Sequence, residues 1–241
     1  MQPRSDEIFA LGDESRIAPH LGLDYAGGMT QIKPQKPTSF APTRRYVLGG
    51  VAAMTMMPLT ARGDDDVAHV TAPRRLGKDN APIKVVELFS MTCPHCASFH
   101  NKTFPDVKAR LIDTGMVQFE MQPFPLDQIA LRGHALARAL PVKQYFPMVS
   151  LLLKDISRWA AVDDPFSALS RLARQAGMSA EKFEALMRNR QILEAIVEMR
   201  QAAYKTWDVK STPSFIVNGK TVLSGAMSYE DFAAKINATD T

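Results

Sequence analysis

Cys93-Pro94-His95-Cys96 contains the only two cysteines of a 241-residue chain. If a helix starts here, two thiols spaced by two residues share its first turn, close enough to make and break a disulfide. No other cysteine could partner either one, so the disulfide is this pair or none. A bond closing so short a loop hardly staples a fold, and its value is chemical. A thiol attacks only as the thiolate, so a redox cysteine needs a lowered pKa. Cys93 would sit at the helix N-terminus, where free N–H groups and the helix dipole favour negative charge. Pro94 suits the first helical position, where its missing N–H costs nothing. His95 can add a donor or a positive charge beside the thiolate. Cys96, further in, would be less exposed and would act as the resolving thiol.

Other chemistries compete for the same residues. Cys93, Cys96 and His100 form C-x-x-C-x-x-x-H, which zinc could use with His69 or His134 as a fourth ligand. Structural zinc sites usually bring a second clustered pair, which this chain lacks. Covalent haem would need histidine where Ala97 stands. Glu87 is an acid in a run that otherwise reads as buried, Ile83-Lys84-Val85-Val86-Glu87-Leu88-Phe89. A buried carboxylate is costly, so Glu87 either relays a proton for the buried thiol or satisfies Lys84 or another base. Ser211-Thr212-Pro213 precedes a strand, and on base rates its proline marks a trans turn.

The elements that must position these residues are legible in outline. Ile83–Phe89 reads as a strand, and a helix follows from Pro94 through Phe99 and Phe104. Pro105 kinks or restarts that helix, and Gly115 ends it. Val117–Met121 is a second strand. From about Leu126 to Met199 the pattern is helical: Asp164-Pro165 starts one helix, and Ser179 caps another with Met178 and Phe183 as its hydrophobic staple. Pro213–Val217 and Thr221–Leu223 flank Asn218-Gly219, a hairpin signal that Lys220 lengthens. Ser228 opens a last helix, stapled by Met227 and Phe232. Val67-Ala68-His69-Val70 alternates like a short edge strand. The domain reading is residues 1–61 as an N-terminal extension and export signal, 62–126 and 200–241 as one α/β domain, and 127–199 as a helical domain inserted in it.

Hydrophobic residues make up 46% of the chain, ample for a core, and the formal charge is only +4. That balance supplies no basic stripe of the kind nucleic-acid binding needs. Arg44-Arg45-Tyr46-Val47-Leu48 opens an apolar run of roughly fourteen residues ending near Leu59, too short to span a bilayer. A basic pair before such a run fits an export signal, and it resembles the twin-arginine type. Leu59-Thr60-Ala61 is the best cleavage site, and a retained anchor is the minor alternative. The first 28 residues carry five acids (Asp6, Glu7, Asp13, Glu14, Asp24) against two arginines, odd for a signal. Translation is therefore expected to start at Met29.

Taken together, Val85–Cys96 and Thr212-Pro213-Ser214-Phe215-Ile216-Val217-Asn218-Gly219 resemble the DsbA-type thiol-disulfide oxidoreductases of the bacterial envelope, over roughly residues 66–238. The resemblance implies a thioredoxin fold with an inserted helical domain. It implies that Thr212-Pro213 is a cis peptide facing the disulfide, where an extended substrate can pair as an added strand. By the same resemblance Cys93 attacks, Cys96 resolves, His95 tunes the potential, Pro94 completes the catalytic motif, and Glu87 is the acid beneath the site. It implies a redox-active Cys93–Cys96 disulfide with no cofactor and no metal. The partners would be newly exported cysteine-containing proteins and a membrane redox partner, for a monomer in the periplasm. Thr212 departs from the valine of the best-known oxidases; threonine is also seen in disulfide isomerases and reductases. It is the main support for that second reading, although the segment between the signal and the first strand is too short for the dimerisation domain of a dimeric isomerase. A third reading is a peptide-binding chaperone module whose apolar surface comes from Phe89, Met91, Phe99, Phe124 and Met148.

Overall fold

A computed structural model describes residues 62–239. The readings of the export signal, the Met29 start and the Ala61 cleavage site lie outside the described residues.

The sheet has five strands in the order β1-β3-β2-β4-β5. They are β1 (Arg75–Leu76), β2 (Ile83–Phe89), β3 (Val117–Pro123), β4 (Ser214–Val217) and β5 (Thr221–Ser224). β2 and β3 run parallel, with Ile83 opposite Val117 and Phe89 opposite Pro123. Their crossover is α2 (Pro94–Lys102), then α3 (Phe104–Val107) and a π-helical turn (Lys108–Ile112). β4 lies antiparallel to β2 with Glu87 opposite Phe215, and a hairpin joins β4 to β5. Asn218 and Gly219 both take positive φ in that hairpin, at 49° and 65°. The Asn-Gly pair tolerates these angles at low steric cost.

Both faces of β2 are covered, which is why it is apolar almost throughout. Ile83, Val85 and Phe89 join the main core, whereas Leu88 packs with Phe124, Ile216, Ala203 and Val209 on the other side. On the first face Phe99 of α2, Phe215 of β4 and Phe232 of α9 (Tyr229–Ala238) form an aromatic cluster with centroids 4.7–5.8 Å apart. Offset rings at that spacing add to plain area burial.

Five helices lie between β3 and β4: α4 (Gln128–Ala139), α5 (Val142–Lys154), α6 (Pro165–Gln175), α7 (Ala180–Arg188) and α8 (Arg190–Trp207). Polar residues cap them. Asp127, Asp164, Ser179 and Asn189 each accept a backbone N–H of the first turn, as an N-cap should. α8 continues across residue 199 to Trp207, and its Ala203 covers the sheet. This is the α/β fold with a helical insertion that the resemblance implies.

Two expectations are corrected. Val67–Val70 is not an edge strand; it lies in helix α1 (Arg62–Thr71). Four alternating residues are too few to distinguish periods of 2 and 3.6, and Asp64 and Asp65 favour the helix N-terminus. Val70 is buried, and the His69 ring bonds Leu140 O at 3.1 Å, tying α1 to the end of α4. The apolar surface proposed for a chaperone does not exist either. Phe89, Met91, Phe99, Phe124 and Met148 are all at most 4% exposed and form core.

Candidate active site

The site forms where the C-terminal end of β2 meets the N-terminus of α2. Cys93 is the N-cap of α2, with extended backbone (φ −81°, ψ 118°), and Pro94 takes the first helical position. The Cys96 N–H donates to Cys93 Sγ at 3.4 Å, and the Cys93 thiol faces Thr212 O at 3.3 Å. The Thr212–Pro213 bond is cis, as the resemblance implies, and the turn reading is set aside. Both cysteines are present as free thiols, Cys93 6% exposed and Cys96 fully buried.

This geometry separates the two thiols electrostatically. Cys93 is lowered to about 5, first by its hydrogen bond with the Cys96 side chain, then by Thr212 and by the backbone N–H groups of Cys96 and His95. Burial opposes these effects and loses. At pH 7 Cys93 is then mostly thiolate, against a few per cent for an ordinary cysteine. Cys96 is pushed strongly the other way by burial, by Cys93 and by the nearby Glu87 carboxylate. One thiol is thus ready to attack while its neighbour holds its proton.

Glu87 has no exposed surface, and its Oε2 lies 2.9 Å from His100 Nε2. The alternative partner Lys84 is ruled out, because residues 84 and 87 point to opposite faces of β2 and Lys84 Nζ donates to Asp79 O. Glu87 Oε1 is buried with no partner. Pro94 and His95 are exposed at the mouth of the site, and His95 acts on Cys93 through its backbone N–H. Zinc gains no support, since His69 is held by Leu140 O, His100 by Glu87, and His134 lies against the Phe89 ring. Among the described residues no three His, Cys, Asp or Glu side chains are grouped to hold a metal.

Sequence reasoning missed Asp127 and Arg138 of the helical insertion and took His134 only as a zinc ligand. Asp127 caps α4 through Ala130 N (2.7 Å) and accepts from Thr92 Oγ1 (2.5 Å), so it ties the residue before Cys93 to the insertion. Its sequence signal was an Asp before a helical stretch. His134 is fully buried on α4, edge-on to Phe89, and burial lowers it to about 3, leaving it neutral. Arg138 is also fully buried, and nothing in its spacing marked it.

The thioredoxin fold and a dithiol at the head of its first crossover helix define the class. Residues 69–238 match the family model described as Thioredoxin, so the chain belongs to that family. Within it the similarities run to DsbA proteins. The Wolbachia pipientis alpha-DsbA1 structure superposes with a TM-score of 0.64 at 25% identity, covering 70% of this chain and 90% of that one. The Yersinia pestis thiol:disulfide interchange protein DsbA is 26% identical over 144 residues, 58% of this chain and 68% of its own length. A Rickettsia bellii protein named as a protein-disulfide oxidoreductase is 29% identical over 145 residues, 60% of this chain and 56% of its own length. The chain thus spans about half the length of the first curated relatives it matches.

Proposed function

We propose that this protein is an exported thiol-disulfide oxidoreductase that donates the Cys93–Cys96 disulfide to newly translocated proteins. The observation that carries this reading is the separation of the two thiols, with Cys93 near 5 and Cys96 forced upward. A thiolate that is stabilised in the dithiol form makes the disulfide easier to reduce, hence a stronger oxidant.

In the cycle, a client thiolate attacks Cys93 Sγ, the Cys93–Cys96 bond breaks, and its electron pair goes to Cys96, which takes up a proton. A second client thiolate attacks the client sulfur of the mixed disulfide. Cys93 leaves as the thiolate, and the client carries the new disulfide. An external disulfide oxidant, a membrane partner in the cell, restores the pair. Thr212-Pro213 flanks Cys93 and offers an extended client a backbone edge. No cofactor or metal enters the cycle, the protein works as a monomer in the periplasm, and nucleic acid plays no part. Export rests on the Arg44-Arg45 segment; no described helix is long and apolar enough to cross a membrane.

The reductase or isomerase reading rested on Thr212. In this structure residue 212 meets the attacking sulfur through its backbone carbonyl, which any residue there would supply. The deciding experiment is the redox titration of the pair against glutathione. A potential at or above about −150 mV supports the oxidase, and one near about −250 mV or below makes the protein a reductant.

A further inference from the structure

The helical insertion carries a groove that the dithiol chemistry does not use. It runs along the seam between α5 and α6 and joins a cavity of about 540 Å³ to a smaller one of about 200 Å³. Leu151, Leu172 and Gln175 line both, so the two are continuous. The narrow end is apolar, with Pro147 and Met148 in its wall and Leu151 left 43% exposed. Gln144 also lines it, and its Oε1 is shut off from solvent without a partner. A buried acceptor left unpaired is costly and calls for an explanation.

The wide end is cationic. Lys154, Arg158 and Arg171 line it, all three are exposed, and none forms an ion pair among the described residues. The acids near them are engaged elsewhere. Asp155 accepts from the Ser157 N–H and hydroxyl, and Asp164, which feels the Arg171 charge, does the same for Ser167. An apolar slot that ends in three unpaired cations sets a local positive potential beside its apolar wall.

The groove also reaches the active-site turn. Trp159 lines it, 2% exposed, with its Nε1–H donating to Leu152 O at 2.9 Å. The far edge of that ring packs on Gly133 of α4. A Cβ on Gly133 would stand 3.0 Å from Trp159 Cη2 and 3.3 Å from Met91 Cβ. Met91 is two residues before Cys93, so the width of one glycine separates the groove wall from the turn that carries the attacking thiol.

We propose that the α5–α6 groove is a second client-binding site, which takes an apolar, carboxylate-bearing segment of the same polypeptide whose cysteine reacts at Cys93. The inference rests on the dithiol chemistry proposed above and names a class of client for it. Apolar side chains of the segment fill the narrow end, and one backbone N–H donates to Gln144 Oε1. Its carboxylates meet Arg158 and Arg171, whose planar forks hold a carboxylate by two parallel bonds, with Lys154 as a third charge. A client held there presents its cysteine at a raised local concentration without any new contact at the sulfur. A polypeptide fits better than a lipid surface, because the slot is concave and lies beside the turn to which clients come.

The test uses two peptides, each with one cysteine, a Gly-Ser spacer and a tail of alternating leucine and glutamate, or leucine and lysine. Mixed-disulfide formation with the disulfide form of the full chain is timed at low salt by acid quench and mass. The acidic peptide should react at least tenfold faster than the basic one, in line with two or three exposed ion pairs, and salt should shrink the gap. The double variant Arg158→Glu, Arg171→Glu should erase the advantage, and Leu151→Gln should cut it at least threefold. All three side chains are exposed, so folding is spared, and reaction with dithiothreitol should stay within twofold of the parent. Equal rates for the two peptides, or an advantage that survives the double variant, overturn the proposal. Peptide rates untouched by the double variant, with loss of self-association or of binding to phosphatidylglycerol vesicles, would give the groove to a second copy or a membrane and also overturn it. Failure of the dithiol reading looks different, because then the parent does not react with dithiothreitol either.

Discussion

At the residue scale the two cysteines differ only by position, yet their chemistry is opposite. Cys93 collects hydrogen bonds at the head of α2, whereas Cys96 is buried above a carboxylate. Alkylation of the native dithiol form should therefore modify Cys93 with a midpoint near pH 5, and Cys96 should react only after unfolding. Thr212→Val keeps the backbone carbonyl that faces the Cys93 thiol and removes a buried hydroxyl with no partner, so the Cys93 midpoint should move by less than about half a unit. A rise of one unit or more would show that the Thr212 hydroxyl donates to the thiolate. Stability follows by linkage. Folding depresses Cys93, so the dithiol form gains stability as pH rises from about 5 toward the unfolded value near 9, and loses it as pH falls through 5. Cys96 is raised, so the folded protein holds its proton more tightly and stability declines again above about pH 9. Denaturant titrations of dithiol and disulfide forms, subtracted at each pH, should show that rise with a steepest slope of about 1.4 kcal/mol per pH unit.

At the element scale the site depends on one junction, the turn from β2 into α2. Ser90 O accepts from the Cys93 N–H, Ser90 Oγ meets Thr92 Oγ1, and Thr92 is held by Asp127 at the start of α4. Asp127 therefore serves two elements with two oxygens. Asp127→Ala should cost about 1–2 kcal/mol by loss of the cap, read as a lower midpoint in a thermal or urea melt. It should also loosen residues 90–93, measurable as faster amide exchange there; exchange confined to α4 would show that the tie to Thr92 carries nothing.

At the scale of the whole molecule, two buried guanidiniums hold the helical insertion against the sheet. Arg138 of α4 donates to Val70 O, to Ala72 O (2.6 Å) and to Met121 O (3.5 Å). Arg74 donates to His69 O (2.8 Å) and to Arg138 O (3.2 Å), and both guanidiniums lie about 5.5 Å from the Tyr145 ring centre. Carbonyl oxygens, not carboxylates, neutralise them in part, and burial lowers both from the usual arginine range. Arg138→Met keeps the bulk and leaves three carbonyls without this donor, so it should destabilise the fold by about 3 kcal/mol or more. A denaturant melt within 1 kcal/mol of the parent would show that those carbonyls find other partners.

How much of this was legible beforehand depends on the range of the interactions. β2, the restart of its crossover helix at Pro105, the caps at Asp164, Ser179 and Ser228, and the Asn218-Gly219 hairpin are set by nearest neighbours, so residue types in order suffice to find them. The Cys93–Cys96 pair was visible because two cysteines at that spacing leave no other partner. His100 was seen only as a zinc ligand. Its pairing with Glu87 depends on α2 lying across β2 at one rotation, and a linear pattern does not contain that. The same holds for Thr212, 119 residues from Cys93 along the chain and 3.3 Å away in space. Val67–Val70 shows the limit at short range, where packing against α4 and α8 chose the helix. The sequence by itself determined which atoms could do chemistry. The tertiary structure alone decided which of the two thiols keeps its proton, because desolvation and facing charges belong to burial, and burial is a property of the packed molecule.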